Sequence, residues 1–136
     1  MAMDVDSIRE VFTAQRYART RDTAKLDEYQ APTGGQFLYF YKERDLSSSI
    51  QVVVHPGLKF EPYVDLPGVT CPKPDQFRHG SNMRQFPRRK HRGEGETPYG
   101  RALEIDSLEA LARFLQFFDT PAGSVVGTLT IDRLAP

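Results

Sequence analysis

Apolar residues first recur at helical spacing near the start of the chain. Val5, Ile8, Val11 and Phe12 fall on one stripe, with Asp4 or Asp6 placed to cap the first turn. This predicts a short amphipathic helix. Past Gln15 the pattern fades, and Thr20 to Tyr29, polar and without a clear period, reads as an irregular edge strand or a loop. Pro32-Thr33-Gly34-Gly35 is a turn signal. Two strand-favouring runs follow: aromatic Phe37 to Tyr41 and β-branched Ile50 to Val54, joined by a short polar link. They predict an antiparallel hairpin, and their near-continuous apolar character predicts cover on both faces. His55-Pro56-Gly57 ends the second strand, because proline cannot donate to a ladder.

From Lys59 to Pro98 the chain reads as one long loop, punctuated by Pro62, Pro67, Pro72, Pro74, Pro87 and Pro98 and by four glycines. Loops of this length in a compact domain are usually functional or disordered. Regular patterning returns at Arg101 to Ile105, a short strand by alternation. Asp106 is the expected cap of the next helix, with Glu109 three residues on in a capping-box arrangement. Leu108, Leu111, Leu115 and Phe118 then mark a helical stripe that Phe114 widens, and Pro121 and Gly123 stop it. Alternation from Ser124 to Arg133 predicts a last strand. The order predicts a single α+β domain over residues 1–136. It would consist mainly of an antiparallel sheet, with two helices packed on one face and a long Pro/Gly-rich basic loop.

Composition narrows the function classes. A chain of 136 residues suits one domain and can bury a core without disulfide staples. Eighteen basic and eighteen acidic side chains cancel, which excludes the chain-wide basic field of a non-specific DNA binder. The lone cysteine, Cys71, has no intrachain partner and no neighbour that would stabilise a thiolate, so it is expected to be a spectator in a cytoplasmic protein. The N-terminus is polar by its fourth residue and no apolar run reaches eighteen residues, so neither a signal peptide nor a membrane span is expected. The sequence carries no signal of oligomeric state.

The charge is nonetheless uneven. Gln76 to Arg92 holds Arg78, Arg84, Arg88, Arg89, Lys90 and Arg92 with no intervening acid, joined by His79 and His91 and interleaved with Phe77 and Phe86. Arginine forks suit phosphates and carboxylates, and aromatic rings stack on bases. Such a run is an anion-binding or partner-binding surface, or else a solvated loop pinned by its two phenylalanines. The remaining histidine, His55, lies where a strand meets a loop, and there a histidine most simply hydrogen-bonds the turn that follows. Scattered histidines and one cysteine do not make a zinc site. Nucleophile-elbow, P-loop, dinucleotide and zincin motifs are all missing, so no catalytic residue, metal or cofactor is assigned.

Two short stretches carry a resemblance. Val52-Val53-Val54-His55-Pro56-Gly57-Leu58-Lys59, and Tyr99-Gly100 ahead of Ala110 to Leu115, resemble the small bacterial family of unknown function typified by YgaC, over about half the chain. The resemblance implies a compact cytosolic α+β domain and no catalytic residues. The chain departs from that family in the length and basicity of Gln76 to Arg92 and in its extension past the last helix. Taken together, the sequence favours a non-enzymatic binding protein with a protein partner, in the manner of an immunity protein or toxin inhibitor. The alternative is nucleic-acid or other anion binding through residues 76–92.

Overall fold

The computed structural model describes residues 3–90 and 95–120. Helix α1 spans Val5–Ala14 and is capped by Asp4, whose extended backbone lets its Oδ1 accept from the Ser7 N–H at 2.8 Å. Its stripe buries Ile8 and Phe12 completely. The strands are β1 (Ala18–Asp22), β2 (Leu26–Gln30), β3 (Phe37–Tyr41) and β4 (Ile50–Val54), and the one-turn helix α2 (Glu61–Val64) follows them. The short strands β5 (Val69–Thr70), β6 (Arg78–His79) and β7 (Arg88–Lys90) come next, then the long β8 (Glu96–Ile105) and helix α3 (Leu108–Phe118). The protein is an α+β fold with an open antiparallel sheet and three helices among the described residues.

The sheet runs β1-β2-β3-β4-β8-β5, and β6 and β7 also pair with β8. The expected hairpin is present, with Tyr39 opposite Val53 and Phe40 opposite Val52. Three other readings need correction. The irregular Thr20–Tyr29 stretch is two strands: β1 is the edge, with a register shift between Arg19 and Arg21, and β2 is an interior strand beside β3. The Lys59–Pro98 stretch is not one loop, since α2, β5, β6, β7 and the start of β8 all lie in it. Finally, α3 is capped by Ser107, whose Oγ accepts from the Ala110 N–H at 3.1 Å. The Asp106 N–H instead donates to the Gly68 carbonyl, and moving the cap by one residue puts Glu109 out of capping-box register. The expected strand from Ser124 to Arg133 lies outside the described residues.

The strand β8 is twice as long as the alternation from Arg101 predicts, because Pro98 and Gly100 look like breakers and are not. Pro98 takes part through its carbonyl, which accepts from Gly80. Gly100 is a point of close approach: a Cβ there would meet the Val54 carbonyl oxygen at 2.6 Å and the Phe86 ring at 2.9 Å. Backbone cannot step aside as a side-chain tip can, so any larger residue would push the ladder apart.

Strand alternation sorts the core into two. Leu38, Phe40, Val52, Val54, Leu103 and Ile105 join Ile8 and Phe12 of α1 and Leu111, Phe114, Leu115 and Phe118 of α3 in the main cluster. Their alternates Tyr39, Tyr41 and Val53 join Leu26, Met83 and Phe86 in a second cluster, with Ala102 against it. Residues 83–86 therefore cover the second face, and the hairpin is buried on both sides. Leu111 is fully buried, and Leu111→Ala is expected to lower stability by ~2–5 kcal/mol. An unchanged thermal melt would show that α3 is not part of the core.

Candidate functional site

Adjacent residues on a strand point to opposite faces, and β2 places a carboxylate on each: Asp27 and Glu28, both 0% exposed. Each is held by cations from distant elements. Arg9 of α1 forms a fork with Asp27, Nε to Oδ2 at 2.8 Å and Nη2 to Oδ1 at 2.9 Å, and Lys42 Nζ lies 3.1 Å from Oδ1. Glu28 accepts from the Tyr39 hydroxyl at 2.6 Å, from Thr20 Oγ1 at 2.8 Å and from Arg84 Nη2 at 3.0 Å. Tyr39 in turn accepts from the Gln85 N–H, so this network fastens residues 84–85 to the sheet.

Burial pushes the Glu28 carboxyl up, but the hydrogen bonds from Arg84, Tyr39 and Thr20 outweigh it and hold the group below its ordinary value of 4.5. With the folded value depressed, the unfolded chain binds the proton more readily. Glu28 therefore stabilises the fold above about pH 4.5, and this contribution disappears as the pH falls through the folded value. Thermal melts of Glu28→Gln from pH 6 to pH 3 are expected to decline less steeply than those of the wild type. Two parallel curves would remove Glu28 from the acid response.

The basic run is divided among separate tasks rather than gathered into one patch. Arg84 is committed to Glu28. Residues opposite one another in an antiparallel pair share a face, and this sorts the others. Arg78, opposite Gly100, lies on the face of the second cluster, where its guanidinium sits 3.9 Å from the Tyr41 ring centroid. Arg88 and Lys90, opposite Pro98 and Glu96, are exposed on that same face. Arg89, opposite Thr97, lies on the other face with Tyr99 and Arg101. Arg92 and His91 lie outside the described residues.

On that other face the side chains form a cation–aromatic stack. The Arg89 guanidinium lies 4.5 Å from the Tyr99 ring centroid and 5.0 Å from that of Phe77, and its Nε donates to His79 Nε2 at 3.0 Å. His79 stacks on Tyr99 with centroids 5.8 Å apart. Arg101 lies between Phe77, at 4.4 Å, and Phe60, at 4.7 Å, and its Nη1 donates to the Pro74 carbonyl. Among the described residues neither guanidinium has a carboxylate partner, and neither do Arg78, Arg88 and Lys90. Sequence reasoning missed Phe60, Tyr99 and Arg101. The only signal for the last two was their i, i+2 spacing, which matters once β8 is known to begin before Arg101.

A cleft of about 680 Å³ opens beside Arg78, on the face of the second cluster. Its floor is Gln51, Ala102 and Glu104, and its walls come from Tyr41 and Arg44 on one side and from Lys73, Phe77 and Arg78 on the other. Glu104 Oε2 accepts from Arg44 Nη1 at 2.9 Å and from Gln51 Nε2 at 3.2 Å, while Oε1 accepts from Ser49 Oγ at 2.6 Å.

The remaining sequence candidates are quiet. His55 Nδ1 accepts from the Gly57 N–H at 2.9 Å, and burial lowers its pKa, so it is a neutral anchor of the turn it precedes. Burial likewise raises the Cys71 thiol, which disfavours the thiolate. Among the described residues no cluster of three or more histidine, cysteine or acidic side chains has the proximity to hold a metal, and no helix is long and apolar enough to cross a membrane. No protein-family model and no curated protein matches this chain, so its geometry alone carries the functional reading.

Proposed function

We propose that this protein is a small non-enzymatic binding domain that takes an anionic partner along β7 and the adjoining part of β8, and that the partner is a single strand of nucleic acid. The observation that carries this is the cation–aromatic stack, in which Arg89 and Arg101 are held on aromatic rings with no carboxylate partner among the described residues. A guanidinium fixed on a ring loses little side-chain entropy on meeting a phosphate, and its fork matches two phosphate oxygens. Arg88 and Lys90 extend the same short strand on its opposite face, so a backbone following β7 would meet three exposed cations. Half-exposed Tyr99 and Phe77 beside them suit unpaired bases. Kinship with the YgaC-type family is proposed on Val52–Lys59 and on Tyr99-Gly100 with Ala110–Leu115; it supplies no ligand.

Fluorescence-anisotropy titration of labelled single-stranded DNA and RNA oligonucleotides at low salt tests this directly. Binding that weakens steeply with added salt is expected, because phosphate contacts release counterions. No binding at micromolar protein, where screening is least, would overturn the nucleic-acid reading. It would leave the protein partner favoured by the sequence, for which rim cations mainly speed association.

A further inference from the structure

One hydrogen bond in the cation–aromatic stack fixes a protonation state. Arg89 Nε donates to His79 Nε2 at 3.0 Å. A guanidinium nitrogen only donates and the group stays charged, so His79 accepts here as the neutral imidazole. A proton arriving on Nε2 would turn the acceptor into a donor and leave two cations side by side. Both groups are seated on one ring: the Tyr99 centroid lies 5.8 Å from that of the imidazole and 4.5 Å from the guanidinium. Arg89 is exposed and His79 half-buried, so the pair is open to solvent.

The charges around the pair are all of one sign. His79 is opposite Tyr99 and Arg89 is opposite Thr97, so they share a face with Arg101. The charged and titratable groups that face His79 from β7 and β8 are therefore Arg89, Tyr99 and Arg101. The acids of β8, Glu96 and Glu104, alternate onto the other face. Asp75, ahead of β6, is exposed and holds no ion pair among the described residues.

We propose that His79 and Arg89 form a phosphate clamp that takes up one proton from solvent as it closes. The proposal deepens the nucleic-acid reading, rests on it for the identity of the ligand, and adds His79 to the site. Two oxygens of one phosphate accept, one from the Arg89 fork and one from the protonated His79 Nε2–H. The phosphate supplies the negative charge that lets the two cations stand together, and no covalent bond changes. Proton and phosphate each raise the affinity of the other by the same factor, so binding tightens as the pH falls through the histidine range, about pH 6.5.

Two measurements on the whole chain test this. The His79 imidazole is followed by NMR from pH 8 to pH 5 in sulfate and in chloride at equal ionic strength; sulfate stands in for a phosphodiester because it does not titrate in this range. A labelled thymine oligonucleotide is titrated by anisotropy at pH 7.5 and pH 5.5. Sulfate is expected to move the His79 midpoint up by at least about half a unit, and oligonucleotide affinity to rise at least about threefold between the two pH values, the same half unit read as binding. His79→Gln keeps an acceptor for Arg89 but takes no proton, so it is expected to lose this rise and to bind more weakly than wild type at pH 5.5. A His79 midpoint that sulfate leaves in place would overturn the clamp even if the oligonucleotide binds. So would equal rises in wild type and folded His79→Gln, which would assign the pH dependence to His55 or His91. A midpoint raised by sulfate without oligonucleotide binding at either pH would sustain the clamp and overturn the strand-binding reading. The wild-type NMR titration decides the matter even if His79→Gln fails to fold.

Discussion

Replacing Arg9 by methionine is expected to cost about 3 kcal/mol of stability, enough to lower the melting temperature by roughly 10 °C in a domain of this size. Asp27 is fully buried in the middle of the sheet and its two oxygens share the Arg9 fork. Removing one partner of a buried pair leaves the other charge without solvent or counter-charge, which costs ~3–5 kcal/mol. The low end applies here, because Lys42 still approaches Oδ1 and the Tyr29 hydroxyl lies 3.4 Å from Oδ2. Lys42 also bonds Asp22 at the edge strand, so it cannot give Asp27 its whole charge. The double change Arg9→Met with Asp27→Leu is expected to recover most of the loss, since an apolar pair of similar volume avoids desolvating two ions. Chemical denaturation of the two variants checks both halves. An Arg9→Met protein as stable as wild type would mean that water reaches Asp27.

The second large effect is on binding. Arg88, Arg89 and Lys90 make up the whole of β7, and alternation puts one cation on one face and two on the other. If each neutralises one phosphate of a single strand, the logarithm of affinity falls with the logarithm of salt with a slope of about −2 from these three alone. Changing all three to alanine is expected to remove that slope and to weaken binding about equally for every oligonucleotide sequence, because phosphates carry no sequence information. All three side chains are exposed and none holds an ion pair among the described residues, so the fold is expected to survive. An unchanged slope in a folded triple variant would place the phosphate contacts elsewhere.

Much of the fold was legible because it depends on local pattern. The stripe from Val5 to Phe12, the β-branched and aromatic runs of the hairpin and the leucine spacing after residue 107 each specify an element through the surface they must bury. β2 was illegible for the opposite reason. LDEYQ has two acids where an interior strand usually has apolar residues, and only Arg9, Lys42 and Arg84, brought from three distant parts of the chain, make that strand burial tolerable. The first half of β8 was hidden because Pro98 and Gly100 are breakers in a local reading, whereas the neighbouring strands need only a carbonyl from one and empty space from the other.

The site divides along the same line. The sequence by itself determined that cations are concentrated between residues 76 and 92, with Phe77 and Phe86 among them, since composition is a property of the chain. It could not say which cations are spent inside the fold and which are free to meet a ligand. The tertiary structure decided that: Arg84 faces a buried glutamate, Arg78 lies on Tyr41 beside the cleft, and Arg89 lies on rings from Phe77 and Tyr99. The physical reason is that a charge acts through its surroundings. Those surroundings come from β2, β3 and β8, which the chain brings together only when the sheet closes.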